Sequence, residues 1–138
     1  MHKPNILFLC VANSARSQLA EGLAKSILAN QAVIESAGSE PSGIVQPWAI
    51  QTLKEDNIDI SKNKSKSIDQ LPHEFLENLD YIVTLCAEEI CPILATKAKR
   101  LHWPIQDPAS ASKEKKSAEF SRAKQEICSR IEEFAKNI

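Results

Sequence analysis

Two short runs of this chain, Ile6-Leu7-Phe8-Leu9 and Tyr81-Ile82-Val83-Thr84-Leu85, are apolar or β-branched at consecutive positions rather than alternate ones. A strand with one wet face alternates, whereas a strand buried on both faces does not, and such strands belong to parallel sheets covered by helices. Asn5 to Leu9 and Tyr81 to Leu85 are therefore predicted as central strands. Val33 to Ser36, ending at Ala37-Gly38, and Arg100 to Trp103, stopped by Pro104, are predicted as two further strands. Helical spacing places helices at Ser14 to about Asn30, with Leu19, Leu23, Ile27 and Leu28 on one face, and at Pro47 to about Asp56, with Trp48, Ile50 and Leu53 inward. Two more helices are expected at Pro72 to Leu79 and at Ser112 to Lys136, the last with Phe120, Ile127, Ile131 and Phe134 on its buried stripe.

Alternating strands and helices with short connections imply a parallel sheet covered on both faces, with right-handed crossovers. At 138 residues, without repeats, linkers or low-complexity segments, residues 1–138 read as a single domain able to bury a core without staples. Ligands in such sheets bind at the carboxyl ends of the strands. Cys10, Ser36 and Cys86 fall at three of those ends, and Asp107 lies just past the fourth.

The first strand runs into Cys10-Val11-Ala12-Asn13-Ser14-Ala15-Arg16-Ser17. Orphan N–H groups at a helix start, the helix dipole and the two-pronged guanidinium of Arg16 together make an anion trap. Taken alone, Cys10 after an apolar strand would be an ordinary buried thiol. With an arginine six residues on, a hydroxyl at Ser17 and a loop of small residues, it reads as a nucleophile aimed at a bound oxyanion, phosphate or arsenate, since the same field favours thiolate. Val11, Ala12, Asn13, Ser14, Ala15 and Arg16 would supply the oxyanion donors. The loop has no glycine, so Asn13 is expected to take any left-handed position.

Asp107 sits in a proline-limited loop, Trp103-Pro104-Ile105-Gln106-Asp107-Pro108-Ala109, where it is placed to act as a general acid for a departing oxygen. The cysteines are Cys10, Cys86, Cys91 and Cys128. Cys86 and Cys91 have only proline, glutamates and apolar residues around them, with His102 the nearest histidine, which argues against zinc and for redox work. In a helix their Cα atoms would stand roughly 8 to 9 Å apart, whereas a disulfide needs about 4.4 to 6.8 Å. If that segment is helical, it must therefore unwind or bend to oxidise. Cys128 is expected to pack on the terminal helix, and His2, His73 and His102 show no partner pattern.

Seventeen basic against 18 acidic residues give a net charge of −1, which carries no nucleic-acid signature. The local clusters Lys62, Lys64, Lys66 and Lys113, Lys115, Lys116 are expected to be solvated. No run approaches the length of a membrane span and no leader is apparent, so a soluble cytoplasmic protein is expected.

Taken together, the Cys10–Ser17 loop, Ser36-Ala37-Gly38, Thr84-Leu85-Cys86 with Cys91-Pro92, and His102-Trp103 followed by Asp107-Pro108-Ala109 resemble the thioredoxin-coupled arsenate reductases. These share the low-molecular-weight protein tyrosine phosphatase fold. The resemblance implies a three-layer α/β sandwich whose four-stranded parallel sheet has the order 2-1-3-4. It also implies a relay in which Cys10 attacks arsenate, Asp107 protonates the leaving oxygen, Cys86 attacks Cys10 to release arsenite, and Cys91 moves the disulfide outward for thioredoxin. Ser17 would hydrogen-bond the Cys10 thiolate, and the chain would work as a monomer without metal or organic cofactor. The alternative is a low-molecular-weight tyrosine phosphatase acting through a phosphocysteine, although Ala109 and Ser110 stand where such phosphatases typically carry aromatic residues. Two departures mark this chain. Only four residues separate Cys86 from Cys91, where the family usually has about six. Some members bind a monovalent cation such as potassium. Asn13, Glu21 and Ser36 match that site, but Lys66 stands at its aspartate position, and its ammonium would replace the ion.

Overall fold

The computed structural model describes residues 3–87, 94 and 96–138. Its sheet consists of β1 (Asn5–Cys10), β2 (Val33–Gly38), β3 (Tyr81–Thr84) and β4 (Lys99–His102), all parallel and in the order β2-β1-β3-β4. Every residue of β1 is buried, as its unbroken apolar run requires. The register brings Cys10 opposite Gly38, Leu9 opposite Thr84, and Thr84 opposite His102, so the four carboxyl ends finish level.

Helices α1 (Arg16–Leu28), α2 (Pro47–Lys54) and α4 (Lys116–Ala135) cover one face, where Ile6 and Phe8 meet Leu19, Leu53, Phe120 and Ile127. The short α3 (His73–Glu77) covers the other, with Leu7, Leu9 and Ile82 against Leu71, Phe75 and Leu79. Each such side chain, fully buried, contributes about 1.5–3 kcal/mol. Gly22 lets α1 approach α2 closely, since a Cβ there would lie 2.7 Å from Leu53 Cδ1.

Several boundaries differ from those the sequence predicts. α1 begins at Arg16 instead of Ser14 because Asn13 takes a left-handed conformation, φ 50°, and Ala15 at the helix start is also non-helical. It stops at Leu28 because Ala29 has φ 49°, and a 3₁₀ turn over Ala29–Gln31 follows. β2 runs on to Gly38 through its pairing with Cys10. α2 ends at Lys54, α3 is trimmed to His73–Glu77, β4 spans Lys99–His102, and α4 starts at Lys116, after a turn closed by Lys115 N–H on Ser112 O at 3.0 Å. α1 also departs from a one-sided amphipathic helix: Arg16 through Ala24 are all buried, Gln18 and Glu21 included. Ile27, expected on the buried face, is only half-buried.

Candidate active site

Cys10 ends β1 with 2% of its surface exposed, and its Sγ lies 2.8 Å from Ser17 Oγ on the first turn of α1. The Asn13 main-chain N–H donates to the same sulfur at 3.3 Å. The Asn13 amide Nδ2 donates to Ser17 Oγ at 2.8 Å and to Ser36 Oγ at 3.0 Å, tying the loop to both β2 and α1. Gly38 makes room for this, since a Cβ there would lie 2.3 Å from Val11 O.

The Arg16 guanidinium, also buried, donates through Nη1 to Ile105 O at 3.0 Å and lies 3.5 Å from Leu85 O. Its Nη2 is 3.9 Å from Asp107 Oδ2. Asp107 Oδ1 accepts from the Ala109 N–H at 3.0 Å, so the carboxyl is held at the start of a 3₁₀ turn, Pro108–Ser110, with Oδ2 toward Arg16. A cavity of about 160 Å³ is lined by Cys10, Val11, Ala12, Ser14, Ala15, Arg16 and Asp107. Cys10, the loop, Arg16 and Asp107 thus converge on one small hollow at the carboxyl end of the sheet. A larger cavity of about 530 Å³, lined by Lys3, Asn5, Glu35 and Phe75 among others, opens at the amino end and holds none of the predicted catalytic residues.

Cys86 is buried and disulfide-bonded, whereas Cys10 and Cys128 carry free thiols. Leu85 N–H bonds Leu9 O at 3.0 Å, which puts Leu85 beside Cys10 and Cys86 one residue further along the adjacent strand end. Neighbouring strands are about 4.8 Å apart, so the two sulfurs stem from adjoining chain segments. Cys91, and with it the expectation that the Cys86–Cys91 segment unwinds, lies outside the described residues. Cys128 on α4 is half-buried against the core; burial, followed by the charge of Glu132, pushes its thiol pKa up, the opposite of what a nucleophile needs.

Glu21 is the hub of a network behind the loop. Its Oε1 accepts from Ser36 Oγ at 2.5 Å and from Lys66 Nζ at 3.5 Å, and its Oε2 accepts from Lys25 Nζ at 2.8 Å and Asn63 Nδ2 at 3.4 Å. Burial alone would raise the Glu21 pKa, but the hydrogen bonds from Lys25 and Ser36 and the charge of Lys66 outweigh it and hold the carboxyl below its usual range. Lys66 is therefore not a solvated charge; its side chain is 19% exposed and turned onto Glu21. Asn13, Glu21 and Ser36 do come together, yet two ammonium groups already serve the carboxylate. Among the described residues, no cluster of three or more metal-ligating side chains occurs, and no helix is long and apolar enough to cross a membrane.

Missing from the sequence analysis were Lys25, Asn63 and Gln18. For Gln18 and Lys25 the available signal is a polar residue on a helix that also carries the apolar Leu19, Leu23 and Leu28, and for Asn63, in a loop, there is none.

The chain belongs to the low molecular weight phosphotyrosine protein phosphatase family, whose model matches residues 5–138. It is 45% identical over 139 residues to an arsenate reductase of Halalkalibacterium halodurans, covering 98% of this chain and 97% of that one. A solved arsenate reductase in the phosphate-binding state superposes with a TM-score of 0.80 at 30% identity, over 99% of both chains. A thioredoxin-dependent arsenate reductase of Corynebacterium glutamicum superposes with a TM-score of 0.76 at 27% identity, covering 98% of this chain and 61% of that one.

Proposed function

We propose that this chain is an arsenate reductase that uses Cys10, Cys86 and Cys91 as a thiol–disulfide relay regenerated by thioredoxin. The observation that carries the reading is Cys10 as a free, buried thiol 2.8 Å from Ser17, with Cys86, already in a disulfide, on the adjoining strand end. Full-length similarity to an arsenate reductase, and likeness to one that is thioredoxin-dependent, supports it.

In this cycle the loop amides and Arg16 bind arsenate, and the Cys10 thiolate forms a sulfur–arsenic bond while Asp107 gives its proton to the departing oxygen. The Cys86 thiolate then attacks the Cys10 sulfur. A sulfur–sulfur bond forms, the sulfur–arsenic pair of electrons leaves with arsenic, and As(V) becomes As(III) as two thiols become one disulfide. Cys91 attacks Cys86, returns Cys10 to the thiolate, and leaves a Cys86–Cys91 bridge for thioredoxin to reduce. Ser17 Oγ, 2.8 Å from the Cys10 sulfur, would donate to it when it attacks as a thiolate. The cycle needs a reducing compartment, so the cytoplasm is the setting we assign; it needs neither metal nor second subunit, so a monomer suffices.

Lys66 takes the place of a bound cation on Glu21. The family model favours a second reading, hydrolysis of a phosphomonoester through a phosphocysteine on Cys10, which uses the same Arg16 and Asp107 but leaves Cys86 and Cys91 without a catalytic part. Thioredoxin-dependent NADPH consumption with arsenate separates the two. The relay predicts turnover in the wild type and loss of multiple turnover in both Cys86→Ser and Cys91→Ser; wild-type rates in both variants contradict it.

A further inference from the structure

A planar trans peptide points its carbonyl and the following N–H in opposite directions. A loop that shows N–H groups to an anion must therefore tie its carbonyls down on the far side, because a buried carbonyl without a donor is costly. Every such tie is present, and all the peptides concerned are trans. Val11 O accepts from Glu40 N–H at 2.9 Å, Ala12 O from Ser42 N–H at 3.0 Å and Ser65 Oγ at 2.9 Å, and Ser14 O from Gln46 N–H at 2.8 Å. Ala15 O is already in the helix ladder, accepting from Leu19 N–H at 2.9 Å.

Asn13 O differs from the others in having a side-chain donor instead of a main-chain one. Gln18 Nε2 lies 3.2 Å from Asn13 O, 3.0 Å from Asn13 Oδ1 and 3.1 Å from Lys64 O, so two N–H groups serve three acceptors. The Gln18 Oε1 accepts in turn from Asn63 Nδ2 at 3.1 Å, which fixes which end of the amide is the donor. The side chain has no solvent exposure. Its target is also the loop residue that neither strand nor helix dictates, since Asn13 alone of the loop is left-handed, at φ 50°. A flip of the Asn13–Ser14 peptide would exchange a donor facing the anion for an acceptor.

We propose that Gln18 is a positioning residue for the oxyanion site: by gripping both oxygens of Asn13 it locks the Asn13–Ser14 peptide with its carbonyl outward and the Ser14 N–H toward the anion. It rests on the reading of Cys10–Arg16 as an oxyanion loop and names what sets that loop's polarity. Gln18 does not touch the anion. It acts through one peptide plane, so its effect falls on ground-state binding and on one amide.

The test uses inorganic phosphate as the probe, followed through the backbone amide resonances of the loop, with arsenate kinetics alongside. Gln18→Met keeps the length and removes the donors, whereas Gln18→Glu keeps the shape and sets acceptors against Asn13. We expect the phosphate dissociation constant to rise about tenfold in Gln18→Met, equivalent to about 1.4 kcal/mol, and further in Gln18→Glu. KM for arsenate should rise more than kcat falls, and the phosphate-induced shift of the Ser14 amide should be lost while that of Ala12 persists. Wild-type phosphate affinity with an intact Ser14 shift in Gln18→Met overturns the proposal. If Gln18→Met does not fold, Asn63→Ala decides, because it frees the Gln18 Oε1 without touching the loop, and the 3.4 Å contact it also removes leaves Glu21 held by Ser36, Lys25 and Lys66. A severalfold weaker phosphate affinity with a diminished Ser14 shift supports the proposal, and no change in either overturns it. A wild-type chain that binds no phosphate would instead overturn the oxyanion reading, and the role of Gln18 with it.

Discussion

The Lys66 ammonium lies 3.5 Å from Glu21 Oε1, the same carboxylate oxygen that accepts a 2.5 Å hydrogen bond from Ser36. From Ser36 the contacts pass to Asn13 at 3.0 Å, to Ser17 at 2.8 Å and to the Cys10 sulfur at 2.8 Å. A positive charge fixed by the chain itself thus stands five contacts behind the Cys10 sulfur. Arsenate turnover of the wild type should be the same in sodium and in potassium buffers. Lys66→Ala should lose about 1–2 kcal/mol of stability, less than the full cost of breaking a buried pair because Lys25 remains, or become dependent on potassium. Strong potassium activation of the wild type would contradict this.

The same carboxylate sets an acid limit. The folded pKa of Glu21 is lowered, so folding favours its charged form. That contribution is fully present above the ordinary glutamate value of about 4.3 and is lost as pH falls through the folded value below it. Melting temperature against pH should therefore fall more steeply on the acid side for the wild type than for Glu21→Gln, with the two curves converging as pH drops. Parallel curves down to the lowest pH would show that Glu21 is not the group responsible.

Gly38 should tolerate no side chain. A Cβ there would meet Val11 O at 2.3 Å and Asn13 N at 3.0 Å, both main-chain atoms of the loop with nowhere to move. Gly38→Ala should lower stability by about 1–3 kcal/mol and weaken phosphate binding at the same time, as measured by denaturant unfolding and phosphate titration. A stability loss with unaltered phosphate affinity would mean that the loop relaxes away from β2 without losing its shape.

For Asp107 the two oxygens have separate tasks: Oδ1 caps Ala109 at 3.0 Å and Oδ2 faces Arg16 at 3.9 Å. Asp107→Asn keeps the cap and removes the transferable proton. Its kcat should drop about 10²- to 10⁴-fold, while phosphate binds about as tightly as to the wild type. If binding falls as steeply as turnover, Asp107 holds Arg16 in place and does not supply the proton.

The sheet was legible because consecutive apolar residues at Ile6–Leu9 and Tyr81–Leu85 leave no wet face, and the level strand ends follow once those runs are paired in parallel. The left-handed Asn13 was legible for a similar reason: a glycine-free loop leaves few residues able to adopt it. The start of α1 was misplaced at Ser14, because helical spacing cannot show that the loop spends two more residues wrapping an anion-sized hollow. Lys25, four residues after Glu21, is an i,i+4 pair that the spacing does carry, whereas Gln18 and Asn63 were missed because their partners are loop oxygens or side chains distant in sequence, which no spacing rule encodes. Lys66 shows the same limit. Its cluster reads as solvated, and only the fold brings it to Glu21.

The central claim is the order of sulfur transfer, and disulfide mapping by mass spectrometry after one arsenate turnover of the fully reduced protein tests it most directly. The relay predicts one arsenite per chain and a Cys86–Cys91 bridge in the wild type, with a trapped Cys10–Cys86 bridge in Cys91→Ser. Arsenite formed without any bridge at Cys86, or a chain that turns over arsenate with all its thiols still reduced, would contradict it.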